Sequence, residues 1–353
     1  RNKTNSLINL FGLTLGMTVS LLIFIYVRHE FSYDSFHTNA DRVYRIIKEN
    51  PKGINYMSNP KQAILPAPLA DVIRQQVTGV DGVSRVASWG GSLTVETSDA
   101  TKFFTEDSYN AADGDLFRIL TFEALAGNVK RAFTSPYTVA ISEKTAIKYF
   151  GRTDVLGEVL NLTGFKSFGR YTIDLVFRDF PTNSSYDFKI VLRFEDFVKT
   201  VQPTDLQNWG NNNYNYLLLT SSASGADAVA KQIDDFSYNR EKDDPRSDGK
   251  ATYYLESLHD FYLHSDVNFS NTPKNDINRL YLLSLLAFFI LLVAGINYVN
   301  LTTARSVKRA KEVGVRKVVG ALPSNLIFQF LSDALTLSFV SMLLALGTAW
   351  SLF

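Results

Sequence analysis

The reading of this chain turns on one stretch, Leu280–Ala321: LYLLSLLAFFILLVAGINYVNLTTARSVKRAKEVGVRKVVGA. The 25 residues from Leu280 to Ala304 carry no formal charge, and six Lys/Arg and one Glu then fall within the 18 residues Ala304–Ala321. An α-helix needs about 20 apolar residues to cross about 30 Å of hydrocarbon, where its backbone groups must be satisfied within the helix. The abrupt flanks, Arg279 and Arg305, argue against a buried core helix. Two further runs share this character: Leu7–Val27, 21 residues, and Ala334–Phe353, which has Gln329 and Asp333 just before it. The expected fold class is therefore a membrane protein, with α-helical transmembrane segments and a large α+β extracytoplasmic domain of two subdomains.

Leu7–Val27 follows Arg1 and Lys3, as a secretory signal would. It is longer than a usual signal core, and no A-x-A site precedes the continuation RHEFSYDSFH, so it is read as an uncleaved membrane helix. The chain begins without Met and ends in apolar residues, which reads as an excerpt of something longer.

Lys and Arg near membrane ends mark the cytoplasmic side. Arg1 and Lys3 precede the first helix, and the basic segment joins the second to the third, so both are expected in the cytoplasm. Arg28–Arg279 then lies outside. From Arg28 through the second helix there are 28 basic and 33 acidic side chains, a balance of −5, while the whole chain of 353 residues carries +1. The expected organisation is 1–27 as N-terminal end and first helix and 28–278 as the exported domain. Residues 279–303 form the second helix, 304–325 a cytoplasmic segment and 326–353 the third helix. With no cysteine, the exported part needs no disulfide.

Within the exported region the patterning is mixed. Ala40–Glu49 (ADRVYRIIKE), Val83–Thr97, Lys102–Ala112, Tyr171–Pro181, Tyr186–Phe194 and Asn215–Ser222 read as strands. Leu69–Val77, Ser142–Gly151 and Gly225–Arg240 read as helices, the second with Ser142 as N-cap and Gly151 just past its end. Glu241–Lys250 (EKDDPRSDGK) reads as an exposed loop.

Little here points to chemistry. HDFYLH sets His259 and His264 five residues apart beside Asp260 and Asp266, whereas helical metal pairs stand three or four apart; a structural role is expected. His29 and His37 flank the exit of the first helix. No phosphate-cradling glycine–lysine loop, nucleophile elbow or H-E-x-x-H occurs. No catalytic residue and no metal site is expected.

The basic segment has a plain electrostatic use, anchoring against anionic lipid. That accounts for its charge but not its arrangement. Val307, Ala310, Gly314, Val318 and Leu322 recur at three- and four-residue intervals along one helical stripe. Arg309, Glu312 and Arg316 fall opposite, with Lys308 and Lys317 at the sides. Glycine inside a helix costs about 1 kcal/mol relative to alanine, so Gly314 and Gly320 point to a close backbone approach, a helix end at Gly320, or both. Pro323 limits continuation, and Ser324 is the expected N-cap of the third helix. Such a helix suits a protein partner and equally suits lipid; the residues leave both open. On the first helix, Gly12, Gly16 and Ser20 form a small-xxx-small face suited to helix packing, although glycine is common in membrane helices generally.

The run NYVNLTTARSVKRAKEVGVRKVVGALPSNLIFQFLSDALTLS (Asn297–Ser338) resembles the segment that links the second and third membrane helices of MacB/FtsX-type ABC transporter permeases. The match lies at Asn297 or Asn300, Arg305 to Lys311, Glu312, Val313, Gly314, Val315, Arg316, Lys317, Gly320 and Ala321, and EVGVRKVVGA is its most specific part. The N-terminal RNKTNSLINLFGLTLGM…FSYDSFHTNADRVYRI resembles the start of such permeases, especially the kind common in Bacteroidota, and SEKTAIKYFG, VFRDFPTNSSYDF and LHDFYLHSD are similar to recurring elements of their MacB-like periplasmic core. The likeness spans nearly the whole chain.

The resemblance implies a multi-pass permease subunit in the bacterial inner membrane, with its large domain in the periplasm. It implies mechanotransmission: a separate cytoplasmic ABC ATPase binds ATP and Mg, and its movements pass through the membrane helices to drive export or extraction of a substrate, as in efflux. The chain itself would then be no enzyme and hold no cofactor. Arg305, Lys308, Arg309, Glu312, Val313, Gly314, Arg316, Lys317 and Gly320 become the candidate contacts to the nucleotide-binding partner. Other implied partners are a second copy or a second permease half, membrane lipid, and a periplasmic adaptor or hydrolase; no nucleic acid is expected. Two alternatives stand beside transport: an FtsX-like regulator that activates a cell-wall hydrolase, and a membrane-anchored ligand sensor. The chain departs from MacB in showing no nucleotide-binding domain upstream, and from the family in ending within the third of four helices.

Overall fold

The structure, a computed structural model, describes residues 3–50, 59–98, 102–164, 166–241, 251–303, 313–315 and 323–352. Its contacts divide it into two compact units, Arg1–Ser32 with Asp276–Phe353, and Tyr33–Asn275.

Along the chain, α1 (Lys3–Phe31) runs past the charge-free stretch and takes in Arg28, His29 and Glu30. Its backbone is satisfied internally, so nothing forces it to stop at the last apolar residue. Ala40–Arg42 is a 3-10 turn rather than the start of a strand, and β1 occupies Val43–Glu49. There follow β2 (Lys61–Gln62), β3 (Ile64–Pro66), α2 (Leu69–Gln76), β4 (Val80–Thr97), β5 (Phe103–Ala112), α3 (Leu116–Ile119), β6 (Ala124–Gly127) and β7 (Thr138–Ser142). In α4 (Glu143–Phe150), Ser142 Oγ accepts from the amide of Thr145 at 3.4 Å, and Gly151, at φ +72°, donates to Ile147 O at 2.8 Å. That left-handed stop favours glycine because it has no Cβ to clash.

Next come β8 (Val159–Thr163), β9 (Ser167–Phe177) and β10 (Ile190–Arg193). The strand read through Phe194 ends one residue earlier, and Phe194–Val201 is helix α5. Phe194, Phe197, Val198 and Val201 are all buried there, and that spacing of zero, three, four and seven is the helical period. β11 (Asn212–Thr220), α6 (Ala226–Glu241) and β12 (Thr252–Ser257) complete the unit. Glu241 closes α6, and the rest of the expected exposed loop lies outside the described residues. α7 (Ile277–Thr303) and α8 (Pro323–Leu352) follow. Pro323 is the first helical residue of α8, a position where its missing N–H costs no hydrogen bond, so Ser324 lies inside the first turn and is not the N-cap.

The strands of the Tyr33–Asn275 unit join one mixed sheet in the order β12-β1-β11-β4-β5-β10-β7-β9-β6, with β2 on β1 and β3 on β11. β10 pairs parallel to β5 and β7 parallel to β9. β8 bridges β9 back to the far end of β4, so β4, β5, β10, β7, β9 and β8 form a closed circuit of pairing. Alternate residues serve two cores: Ile190 and Leu192 face one and Val191 the other, as do Tyr216 and Leu218 against Leu217. Both faces of the sheet are thus covered.

In the helical unit α1 packs against both α7 and α8. Ser341, Ala345 and Ala349, a small residue every fourth position, are buried on α8, and Thr18 Oγ1 meets Thr348 Oγ1 at 2.9 Å. Three helices are long and apolar enough to cross a membrane: Leu7–Phe31, Ile277–Thr303 and Leu331–Leu352. Large side chains such as Leu282, Phe288 and Val293 stand exposed along α7, as a lipid-facing surface requires.

Candidate functional site

Of the candidate partner contacts, Arg305, Lys308, Arg309, Glu312, Arg316, Lys317 and Gly320 lie outside the described residues. Val313 and Gly314 lie in a helical stretch, 313–315. A Cβ added at Gly314 would meet nothing within 4 Å, and Val315 is exposed.

Gly12, Gly16 and Ser20 all face α7. A Cβ on Gly12 would stand 3.6 Å from Asn297 Nδ2, and one on Gly16 only 2.7 Å from the Cβ of Ala294. Ser20 Oγ donates to Ala287 O at 3.0 Å. As numbering rises on α1 it falls on α7, so the two helices run antiparallel with small residues at the seam. Backbones approach this closely only where side chains are absent or minimal.

The four histidines do not converge. His259 Nε2 lies 2.9 Å from Asp41 Oδ1, His264 Nδ1 lies 3.1 Å from Asp260 Oδ1, and His29 Nδ1 lies 3.5 Å from Glu30 Oε1. Among the described residues no group of three His, Asp or Glu side chains is placed to hold a metal ion.

His37 is different. Its side chain is sealed among Phe36 and Phe180, and its Nδ1 accepts from the amide of Thr121 at 3.0 Å. Burial pushes its pKa down to about 4, so the ring is neutral and its proton sits on Nε2. Three residues earlier, Asp34 lies buried at φ +56°. Its Oδ1 accepts from the amide of Ser185 at 2.8 Å and from Ser184 Oγ at 3.3 Å, and its own amide donates to Asn183 O at 2.9 Å. Burial raises the Asp34 carboxyl, and these hydrogen bonds offset part of the rise. FSYDSFH and TNSSYDF, two stretches far apart in sequence, are in this way buttoned together just after α1.

Sequence reading missed two buried arginines, because a lone arginine in a strand carries no pattern that marks it as internal. Arg45 of β1 donates to Glu256, to Ser265 Oγ and, at 3.3 Å, to Thr272 Oγ1, with its guanidinium 4.2 Å from the Phe261 ring. Phe261 of HDFYLH is therefore part of a structural hub. Arg85 of β4 grips Asp113 through Nε at 2.8 Å and Nη2 at 2.6 Å, over the Phe194 ring at 4.1 Å. Burial pulls the Asp113 carboxyl upward, but the charge and hydrogen bonds of Arg85, with Arg74 behind, hold it below the ordinary carboxylate range.

Comparison with known proteins agrees with this architecture. Residues 6–236 match the MacB-like periplasmic core domain, and residues 284–353 match the FtsX-like permease C-terminal region. The chain is 34% identical over 93 residues to the macrolide export ATP-binding/permease protein MacB of Aggregatibacter actinomycetemcomitans, a match covering 25% of this chain and 14% of that protein. It is 35% identical over 95 residues to the pyoverdine export ATP-binding/permease protein PvdT of Pseudomonas putida, covering 27% and 14%. The chain thus spans only a small part of these relatives. A solved domain of a Porphyromonas gingivalis protein described as a permease superposes with a TM-score of 0.51 at 21% identity, over 67% of this chain and 97% of that one, a likeness of fold. With one family profile spanning most of the sequence and a second taking in α8 and most of α7, the chain belongs to the MacB/FtsX-type ABC transporter permeases, as a membrane protein with a large MacB-like periplasmic core domain.

Proposed function

We propose that the chain works by mechanotransmission, carrying movements of a cytoplasmic ABC ATPase through its membrane helices to the periplasmic domain. The observation that carries this reading is continuity. α1 is unbroken to Phe31 and the sheet unit begins at Tyr33; that unit ends at Asn275 and α7 begins at Ile277. A flexible linker at either end would absorb a push, and a single residue, Ser32 or Asp276, lies between each helix and the sheet unit.

In this reading the N-terminal end and the basic segment face the cytoplasm of a bacterial inner membrane. Arg305 to Gly320 receives the ATPase, which binds ATP and Mg while the permease chain performs no hydrolysis. The names of MacB and PvdT, which join ATP-binding to permease, support that pairing. The closed strand circuit and the β12-β1-β11 extension act as two subdomains of the periplasmic part. The assembly exports or extracts a substrate, as a homodimer or with a second permease half, and a periplasmic adaptor or hydrolase contacts its outer domain.

The test is reconstitution of the full protein in lipid nanodiscs with its soluble ATPase. Stimulated ATP turnover, with crosslinks from the basic segment to the ATPase, is the expected result. A segment that crosslinks to lipid alone, with turnover unchanged, would remove the proposal.

A further inference from the structure

The sheet unit has two connections to membrane helices, at Tyr33 and at Asn275, and both meet at one residue. The ring of Tyr33 stacks on that of Tyr262, with centroids 3.4 Å apart and planes 2° apart. The amide of Asn275 donates to Tyr262 O at 2.8 Å. Tyr262 is only 9% exposed, and its neighbour Phe261 is fully buried beneath the Arg45 guanidinium. Arg45 also reaches Ser265 and Thr272, on the stretch between Tyr262 and Asn275, and Glu256 on β12. The chain leaving the sheet is thus pinned to β1 along its length, and Tyr33 of the arriving chain is laid against it through an aromatic pair.

We infer that Tyr262 is a positioning residue that ties the two connections together, so that displacement at either one reaches β1 as a single motion. The purpose of the tie rests on the mechanotransmission reading; the tie itself is a property of the sheet unit alone. A stacked ring and a backbone hydrogen bond on one residue oppose separation of the two connections without adding a covalent link. The second anchor of the arriving chain, Asp34 on Ser185, holds it to a different loop, and further along Asp41 meets His259 at 2.9 Å, while Tyr262 is a contact made by both connecting residues themselves.

Hydrogen exchange on the full chain in nanodiscs tests this directly. In Tyr262→Ala, amides of Tyr33–His37 and of Asn275 should exchange about three- to tenfold faster, while β11 amides keep their protection. Tyr262→Phe, which keeps the ring, should match wild type. Acceleration at one connection only, or at neither, overturns the inference. Should Tyr262→Ala also lose protection in β11, Tyr33→Leu decides: it leaves residue 262 intact, and Asn275 should still exchange faster because Tyr262 touches both Tyr33 and Asn275. An unchanged Asn275 in that variant overturns the tie. If wild type fails to stimulate an ATPase, mechanotransmission falls while the exchange data still settle the tie.

Discussion

Gly16 and Ala294 set the distance between the first two membrane helices: a Cβ on Gly16 would lie 2.7 Å from that of Ala294, closer than real Cβ atoms come. Neither atom could swing away, since each is fixed to its own backbone. Gly16→Leu should therefore push α1 off α7 at a cost of about 1–3 kcal/mol, the range of an overpacked core. Gly12→Ala, with 3.6 Å available, should be tolerated. Thermal unfolding of the purified full chain in detergent measures both, and equal stability of the two variants would contradict this seam.

Asp113→Ala would strand the Arg85 guanidinium, which is 2% exposed, without its carboxylate. Breaking a buried pair in this way costs about 3–5 kcal/mol. The sign with pH follows from the depressed Asp113 carboxyl: its contribution is present above the unfolded value of about 4 and is lost as pH falls through the lower folded value. Melting curves from neutral pH down to acid should show wild type losing this increment while Asp113→Ala, already without it, does not.

His37 works over a higher window. Its folded pKa, about 4, lies below the ordinary 6.5, so the unfolded chain takes up the proton first. The stability it lends is complete above 6.5 and drains away as pH falls towards 4, by up to ~3 kcal/mol. Asp34, whose carboxyl burial raises, contributes with the opposite sign, so comparison with His37→Asn isolates the histidine. Asparagine keeps an acceptor for the Thr121 amide, and that variant should show a flatter profile between those limits; an identical slope would count against a neutral, sealed imidazole.

How much of this was legible in the sequence depends on the kind of signal. The membrane helices showed themselves because lipid tolerates no charge over the whole run Leu280–Ala304, and α4 because Ser142 and Gly151 bracket it. α5 was hidden because Ile190–Val191–Leu192 is followed, after Arg193, by Phe194, and a short apolar run does not declare where a period of two becomes one of 3.6. The small-residue face on α1 could be read, but its partners Ala287, Ala294 and Asn297 could not, since nothing local encodes which helix comes to meet it. Arg45 and Arg85 were invisible for the same reason: their carboxylates, Glu256 and Asp113, lie far along the chain.

The chain's lack of cysteine makes its orientation easy to map. Ser224→Cys, on an exposed turn of the sheet unit, should react with a membrane-impermeant maleimide in intact spheroplasts. Ser324→Cys, exposed in the first turn of α8, should react only after permeabilisation. The reverse pattern would invert the proposed topology.

The coupling claim meets its most direct measurement at Gly314. Nothing described lies within 4 Å of a Cβ there, so Gly314→Trp adds bulk at a position where a Cβ meets no described neighbour. In nanodiscs with the ATPase, the variant should insert normally, yet stimulated ATP turnover should fall by about tenfold or more if that surface seats the partner. Turnover equal to wild type, with insertion intact, would contradict the account.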